Sequence, residues 1–229
     1  EPVRAWKSLA ASTGATVVTF TAHGPRLPLV IPGDHNQSNA RAALAVLAVL
    51  DHLPPPINRA AAEAAIARFP GLVQRLQLVH SETLSDGRTL RFFNDSKATT
   101  PEASLTALDA FPPPPARDAL FIVGGYDKHI DLAPFVARLA ARAGAVIGVG
   151  QTGQALIDAL RAAVPPALPP DRLAYAATLE AAVPLARHWA LETPALQAIV
   201  LSPASASYDQ FPNYEVRGDT FTALARASA

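Results

Sequence analysis

From residue 101 to the C-terminus, short apolar runs alternate with segments of helical pattern, and this alternation constrains the fold most strongly. The predicted strands cover residues 119–123, 145–149, 173–176 and 198–201, and the predicted helices cover residues 101–111, 133–142, 152–163, 179–191 and 209–226. Because these strands are almost entirely apolar, they fit a parallel sheet with helices on both faces. The sequence therefore predicts an α/β fold, with a Rossmann-like parallel sheet.

The residues before this pattern divide into a hairpin and a separate N-terminal part. Strands at 76–83 and 89–93 flank the turn dipeptide Asp86-Gly87, which predicts a β-hairpin. Further upstream, short β-runs at 17–20 and 29–31 suggest the margin of a sheet, and helices are predicted at 40–53 and 58–68. Proline-rich segments end both helices, so we place a domain boundary near residue 70.

Composition excludes several classes of function. The chain has 229 residues with no net charge and dispersed Lys and Arg, so we expect no nucleic-acid partner. It contains no apolar run of about 20 residues and no signal peptide, so we expect no membrane association. The absence of Cys excludes disulfides and thiolate metal sites and fits a cytoplasmic protein. Because Met is also absent, we interpret the chain as the C-terminal part of a longer protein.

A polar stretch at residues 94–102 joins the hairpin to the helix that starts at Pro101. Asp95, Lys97 and Thr99 offer an acceptor, a cation and a hydroxyl beside a helix N-terminus, where an anion is favoured. This combination predicts a phosphate or carboxylate ligand. The alternative is an ordinary loop whose Asp, Ser and Thr side chains only cap the helix.

Two more polar loops follow strands of the predicted sheet. Lys128 lies in a glycine-containing loop after residues 119–123, and Ser207 lies in a hydroxyl-rich turn after residues 198–201. Ligands collect at the carboxyl ends of such strands, so these loops are candidates for the same site. The alternatives are a solvated lysine and a helix N-cap. Arg75, just before the hairpin, is either a ligand contact through its planar fork or a solvent-facing arginine.

Nucleotide-binding signals are mixed. Asn36 and Asn39 share one helix face and offer amides to a ligand such as a purine edge, although an N-cap and a solvated residue are the alternative. His35 has no second ligand at metal-binding spacing, so no metal site is predicted. Residues 148–153 resemble a broken dinucleotide fingerprint, and this weakens the rival interpretation of a dinucleotide-binding domain. The sequence also lacks a phosphate loop.

Taken together, the motifs resemble the C-terminal half of the D-glutamate-adding branch of the Mur ligase family. The motifs, in chain order, are Asn94-Asp95-Ser96-Lys97-Ala98-Thr99, Gly124-Gly125-x-Asp127-Lys128 and Ser202-Pro203-Ala204-x-Ala206-Ser207-x-Asp209-Gln210-Phe211. The tail Asn213-Tyr214-Glu215-x-Arg217-Gly218-Asp219-x-Phe221 extends the resemblance, as does His35-Asn36-x-x-Asn39 before an Ala-rich helix. The resemblance implies that residues 1–70 are the end of a central ATP-binding domain and that residues 71–229 bind the incoming amino acid.

The activity that this resemblance implies is an ATP-dependent amide ligation in peptidoglycan synthesis. ATP and Mg²⁺ would activate UDP-N-acetylmuramoyl-L-alanine as an acyl phosphate, which the amine of D-glutamate then attacks. By the same resemblance, the enzyme is expected to be a monomer.

The resemblance also implies a role for each site residue. Thr99 and Lys128 would hold the α-carboxylate of D-glutamate, and Ser207 and the backbone of Tyr214 would hold its side-chain carboxylate. The nucleotide would contact four further residues: Asn36 and Asn39 at the adenine, and Arg75 and Asp95 near the ribose. Lys97 is the expected catalytic residue near the reacting groups.

The chain departs from the family pattern in two respects. The uridine-nucleotide domain and the phosphate loop with its magnesium ligands are not in these 229 residues. We therefore expect the chain alone to be inactive, and the alternative is a non-catalytic ligand-binding or regulatory module derived from the ligase. His129 stands where the family commonly has a small residue, so the resemblance does not fix the exact shape of the lysine loop.

Overall fold

The fold consists of two units, seen in a computed structural model that describes residues 2–21, 23–50, 57–163 and 168–227. The first unit comprises Glu1–Val30 and Asp34–Phe69, and the second comprises Ile31–Gly33 and Pro70–Ala229. Among the described residues, no helix has the length and apolar character needed to cross a membrane.

The first unit contains three helices: α1 (Pro2–Thr13), α2 (Asp34–Leu50) and α3 (Arg59–Arg68). Asn58 caps α3, because its side chain accepts a hydrogen bond from the N–H of Ala61. Helix α1 was not predicted, and α2 begins at Asp34, six residues before the predicted start at residue 40. The part of the predicted helix 40–53 beyond residue 50, and the prolines after it, lie outside the described residues.

The strands predicted at 17–20 and 29–31 are wrong, because both segments lack regular secondary structure. No strand is present among the described residues of this unit, so neither segment has a ladder to join. Between the two segments, the backbone of Leu27 is hydrogen-bonded to a side chain and not to a strand. The N–H of Leu27 donates to Gln37 Oε1 at 2.8 Å, and the carbonyl of Leu27 accepts from Gln37 Nε2 at 3.0 Å. Apolar β-runs alone therefore overstated the extent of sheet.

The second unit is built on one six-stranded sheet. Its strands are β1 (Gln77–Thr83), β2 (Thr89–Asn94), β3 (Ala119–Val123), β4 (Ala145–Val149), β5 (Leu173–Ala177) and β6 (Ala198–Leu201). They lie in the order β1-β2-β6-β3-β4-β5. Only the β1–β2 hairpin pairing is antiparallel, and the other neighbours are parallel. The Asp86-Gly87 hairpin and the α/β class with a mostly parallel sheet are thereby confirmed.

Helices cover both faces of this sheet: α4 (Pro101–Asp109), α5 (Ala133–Arg142), α6 (Gly150–Ala162), α7 (Leu179–Glu192) and α8 (Tyr214–Ala227). One buried cluster contains Phe93 and Phe121, and a second cluster on the alternate strand positions contains Phe92 and Leu120. The fully apolar strands β3 and β4 are buried along their whole length. This burial fixes the sheet and holds the loops at its carboxyl edge in place.

The last helix begins at Tyr214, five residues later than the predicted start at residue 209. Asn213 ends the preceding turn, and its Oδ1 accepts a hydrogen bond from the N–H of Val216 at 2.8 Å. Asp209 instead contacts another helix, because its carboxylate accepts from the N–H of Gln151 at 3.0 Å. The residues between are left to form a loop at the sheet edge.

Candidate functional site

Three polar loops leave the carboxyl ends of β2, β6 and β3, which are adjacent in the sheet. We call them the β2 loop (residues 95–100), the β3 loop (residues 124–132) and the β6 loop (residues 202–213). Each loop is hydrogen-bonded to the next. Lys128 Nζ donates to the carbonyl of Thr99 at 3.4 Å, and the N–H of Tyr126 donates to the carbonyl of Ala206 at 2.9 Å.

The third link closes the ring of loops. Ser96 Oγ donates to the carbonyl of Tyr214 at 2.8 Å, which joins the β2 loop to the residue that follows the β6 loop. Gly124 adds a second link between the β3 and β6 loops, since its N–H donates to the carbonyl of Pro203 at 2.8 Å. The structure thus joins the three loops, and it brings Thr99 and Lys128 into direct contact.

Helix capping at α4 is carried out by Thr100, which was not a candidate site residue. Its side chain accepts from the N–H of Ala103, and Pro101 follows at the first helical position. Asp95 and Ser96 are buried and bond elsewhere, so they do not cap this helix. Lys128 is exposed and Thr99 is half-buried beside this helix N-terminus, where a carboxylate is favoured.

The carboxylate of Asp95 is held inside the second unit. Its Oδ1 accepts from the N–H of Leu76 at 3.0 Å and its Oδ2 accepts from Ser202 Oγ at 2.8 Å. Burial raises the pKa of Asp95 to about 6, although these hydrogen bonds and the positive charge of Arg75 act in the opposite direction. Asp95 therefore fixes the start of the β2 loop, and its contact with a nucleotide stays a prediction.

The raised pKa of Asp95 makes stability depend on pH. The protonated carboxyl stabilises the fold fully below its ordinary pKa of 3.8, and this contribution is lost as the pH rises through about 6. We expect the free energy of unfolding of the unsubstituted protein to fall by roughly 2–3 kcal/mol between about pH 4 and pH 7, relative to Asp95→Asn, which does not titrate. Urea unfolding of both proteins measures this, and a difference that does not change with pH would contradict it.

The side chains of Lys97, in the β2 loop, and of Arg75 lie near that of Tyr214. Lys97 Nζ is 5.7 Å from the centre of the Tyr214 ring, a cation–π distance, and Lys97 is exposed. Arg75 is exposed as well, and its charge acts on both Asp95 and Tyr214. These three side chains and Asp95 form one group of neighbours, and each of the four residues was a candidate for glutamate binding, nucleotide binding or catalysis.

Ser207 is buried in the β6 loop. Its carbonyl accepts from the N–H groups of Gln210 and Phe211 at 3.1 and 2.8 Å, so it forms a tight turn. Because α8 begins only at Tyr214, Ser207 is not its N-cap. The capping alternative for Ser207 is therefore wrong, and its neighbour Ala206 makes the contact with the β3 loop.

Asn36 and Asn39 belong to the first unit. Both lie in the N-terminal part of α2, which begins at Asp34. Asn36 is half-buried inside the first turn rather than at the cap, and Asn39 is exposed. Burial lowers the pKa of their neighbour His35, which favours the neutral imidazole. The adenine contact proposed for the two amides stays a prediction.

The broken fingerprint at residues 148–153 includes the N-terminus of α6, which is hydrogen-bonded to another part of the chain. At the N-terminus of α6, Asp209 Oδ2 accepts from the N–H of Gln151, so a carboxylate of the chain lies where a cofactor phosphate would bind. Gly150 has a φ of +65°, and a Cβ there would lie 2.2 Å from the same oxygen. This occupied helix end argues against a dinucleotide-binding domain.

Thr152 and Arg217 were not candidate site residues, but both make hydrogen bonds that hold the loops together. Thr152 contacts the β3 and β6 loops, and Arg217 contacts the β2 and β6 loops. Thr152 Oγ1 accepts from the N–H of Gly125 at 3.1 Å and lies 3.2 Å from Ser205 Oγ. Arg217 is buried in α8 and hydrogen-bonds to two loops. Burial lowers its pKa to about 10, while the carboxylate of Asp209 acts to raise it. Arg217 was part of a quoted motif, but no local pattern indicated its contacts.

A metal ion has no ready site in this part of the protein. Throughout residues 2–21, 23–50, 57–163 and 168–227, no three His, Asp or Glu side chains are grouped to hold one. The residues present therefore do not fit Mg²⁺ by themselves.

Comparison with known proteins agrees with these motifs. The family described as "Mur ligase, glutamate ligase domain" matches residues 74–204. The chain is 38% identical over 206 residues to a UDP-N-acetylmuramoyl-L-alanine–L-glutamate ligase from Micromonospora sp., and the match covers 90% of this chain and 42% of that protein. It is 38% identical over 200 residues to a UDP-N-acetylmuramoylalanine–D-glutamate ligase from Gloeobacter violaceus, covering 87% of this chain and 41% of that one.

A solved structure shares the fold. Mycobacterium tuberculosis folylpolyglutamate synthase complexed with ADP matches with a TM-score of 0.50 and 19% identity, over 86% of this chain and 42% of the synthase chain. The chain spans about two-fifths of the length of the curated relatives that it matches. Residues 74–204 match the glutamate ligase domain, and the chain is 38% identical to two relatives along most of its length. The predicted family is thereby confirmed, and this chain belongs to the Mur ligase family.

Proposed function

We propose that the full-length protein containing this chain is an ATP-dependent ligase that joins glutamate to UDP-N-acetylmuramoyl-L-alanine in peptidoglycan synthesis. The names of the relatives support this substrate pair. The observation that carries the proposal is the contact of Lys128 with Thr99 at the N-terminus of α4, inside a ring of three linked loops. Such an arrangement suits an amino acid with two carboxylates, because the loops offer a lysine, the hydroxyl-bearing Thr99 and Ser207, and the N-terminus of α4.

In the proposed complex, the second unit holds glutamate. Lys128 Nζ and the hydroxyl of Thr99 bind the α-carboxylate beside the positive end of α4. Ser207 and the backbone of Tyr214 bind the side-chain carboxylate. Two fixed carboxylates leave the amine of glutamate with one orientation, which is how the chain contributes to catalysis.

The remaining candidates are assigned to ATP and the reacting groups. Asn36 and Asn39 contact the adenine, and Arg75 and Asp95 contact the ribose region. Residues 1–70 then form the end of the central ATP-binding domain, and residues 71–229 form the amino-acid-binding domain. Because the described residues offer no magnesium site, no step of the reaction is assigned here to that ion.

The reaction proceeds through an acyl phosphate. The muramoyl-alanine carboxylate takes the terminal phosphoryl group of ATP, and ADP leaves. The glutamate amine attacks the acyl carbon, the C–N bond forms, the C–O bond to phosphate breaks and the amine loses a proton. In this proposal Lys97, which is exposed beside Tyr214, stabilises the negative charge that develops on the leaving phosphate.

The enantiomer of glutamate is the finer part of the proposal. The sequence motifs favour D-glutamate, whereas the names of two relatives that are each 38% identical to the chain favour L-glutamate as a second candidate. Both carry the same two carboxylates, so the loops described above serve either one. Only the direction of the amine relative to those carboxylates differs.

The test is phosphate release by the purified full-length protein with ATP, Mg²⁺, UDP-N-acetylmuramoyl-L-alanine and one enantiomer of glutamate at a time. We expect release that depends on both the nucleotide substrate and D-glutamate. Phosphate release with L-glutamate but not with D-glutamate would identify L-glutamate as the substrate. No release with either enantiomer would overturn the proposed function.

The 229-residue chain by itself is the matched control. We propose that it does not hydrolyse ATP or form the amide, because its sequence has no phosphate loop. A monomeric, cytoplasmic protein with no nucleic-acid or membrane partner remains part of the proposal, and sizing by light scattering tests the oligomeric state. If the full-length protein binds glutamate but does not ligate it, a non-catalytic module is the better description.

A further inference from the structure

Arg217 lies where two of the three loops meet. It is 2% exposed and belongs to the first turn of α8. An arginine is rarely buried to this extent unless its donors are satisfied. Its guanidinium makes four hydrogen bonds, and every acceptor lies in the β2 loop or the β6 loop.

The four bonds are divided equally between the two loops. On one side, Arg217 Nε donates to Ser96 Oγ at 3.0 Å and Nη2 donates to the carbonyl of Ser96 at 2.9 Å. On the other side, Nη1 donates to the carbonyls of Ser205 and Ala206 at 3.1 and 3.0 Å. The rigid planar fork therefore sets the distance between the two loops.

The acceptors adjoin the residues assigned to the ligands. Ser96 precedes Lys97 and the Thr99 turn, and Ala206 precedes Ser207. The β3 loop packs closely against the same group, because a Cβ on Gly125 would lie 3.1 Å from Arg217 Nη1. Movement of the guanidinium would thus change the spacing between the residues of one carboxylate site and those of the other.

The acceptors of Arg217 are also all uncharged. The ion pairs found among the described residues do not include Arg217, and the nearby carboxylate of Asp209 accepts from Gln151 instead. A buried arginine normally has a carboxylate partner. Here a positive charge is kept close to loops that would receive an anionic ligand, which favours that ligand electrostatically.

We propose that Arg217 is a positioning residue for glutamate, which holds the β2 loop and the β6 loop at the spacing that the two carboxylates require. This inference rests on the proposed function, and it adds a residue that does not itself touch the substrate. A lysine cannot replace it, because one ammonium cannot reach Ser96 and the Ser205–Ala206 carbonyls at the same time.

The kinetic test uses the full-length protein with Arg217→Lys and Arg217→Met. We expect both substitutions to raise the KM for glutamate tenfold or more and to change the KM for ATP less than threefold, because Asp95 is anchored to Leu76 and Ser202 independently. A purely structural role would lower the active fraction and thus kcat, with the KM for glutamate unchanged. That result, or full rescue by lysine, would overturn the inference.

Arg187→Met is the matched control. Arg187 is a half-buried arginine with 11% of its side chain exposed, and it donates to Glu82 Oε2 at 2.6 Å and to the carbonyl of Ala225 at 2.8 Å, neither of which belongs to the three loops. We expect this control to lower the melting temperature while leaving the KM for glutamate within twofold. A tenfold rise in KM in the control would show that loss of stability alone produces the effect, and would overturn the inference.

A second measurement separates this inference from the proposed function. Amide hydrogen exchange of the full-length protein, without ligands, is compared for the unsubstituted protein, Arg217→Lys and Arg187→Met. We expect faster exchange in Arg217→Lys at Lys97 and Ala98 in the β2 loop, and at Gln210 and Phe211 in the β6 loop. Unchanged exchange in either loop would overturn the inference even if ligation is observed, whereas an inactive unsubstituted protein with this exchange pattern would overturn only the proposed function.

Discussion

Replacing Lys128 by alanine is expected to lower kcat/KM for glutamate about 100-fold or more in the full-length protein. The ammonium lies 3.4 Å from the carbonyl of Thr99, near the N-terminus of α4, and in the proposed complex it binds the α-carboxylate. Its loss removes the one flexible cation of the β3 loop that contacts the β2 loop. Steady-state phosphate release with varied glutamate measures the effect.

The fold should not change in this variant, because Lys128 is exposed. We expect the free energy of unfolding to stay within about 0.5 kcal/mol. Lys7→Ala is the matched control, since Lys7 is an exposed lysine on α1 in the other unit, and its kcat/KM should be unchanged. An unaltered rate in Lys128→Ala would remove Lys128 from the site.

Replacing Gly124 by alanine is expected to destabilise the second unit by about 3 kcal/mol or more. Its φ is +108°, which is unfavourable for alanine, and the new Cβ would lie 2.1 Å from the carbonyl oxygen of Val149. The Val149 oxygen belongs to the backbone at the end of β4, and the backbone of residue 124 fixes the position of the Cβ, so neither atom can move without shifting a strand end. Thermal unfolding should show a fall in Tm of about 10 °C.

Gly87→Ala is the control that separates the cost of the positive φ from the cost of the steric overlap. Gly87, in the β1–β2 hairpin, has a φ of +83°, but a Cβ added there would have no other group within 4 Å. We expect a loss of only about 1 kcal/mol there, from the backbone conformation alone. An equal loss of free energy of unfolding in Gly124→Ala and Gly87→Ala would contradict this prediction, because the steric overlap with Val149 would then add no destabilisation.

Much of the second unit follows from sequence pattern because its central strands β3, β4 and β6 are buried on both faces. The runs at β3 and β4 are apolar throughout, and they are buried at every position. The Asp86-Gly87 dipeptide indicated the hairpin through local turn chemistry. Burial and turn chemistry are local properties, so a single sequence carries them.

The errors arose where a structure depends on distant partners. The run at 17–20 has strand composition, but no strand among the described residues pairs with it. The last helix starts at Tyr214 because Asp209 bonds to Gln151 in another helix. Neither the lack of a pairing strand at 17–20 nor the contact between Asp209 and Gln151 can be inferred from the neighbouring residues.

The same distinction applies to the candidate site. Polar residues at strand ends pointed to the three loops, and the structure joins Thr99 to Lys128. The contribution of Arg217 was not foreseen, because its bonds to Ser96 join positions 121 residues apart. Motifs were enough to propose the side chains that would touch ligand, whereas the contacts of Arg217, which also lies in a motif, emerge only from the fold.

The most direct test is a crystal structure of the full-length protein with bound glutamate. We expect one glutamate with its α-carboxylate within hydrogen-bond distance of Lys128 and Thr99, and its side-chain carboxylate at Ser207 and the backbone of Tyr214. Glutamate bound elsewhere, or held by only one of the three loops, would contradict it.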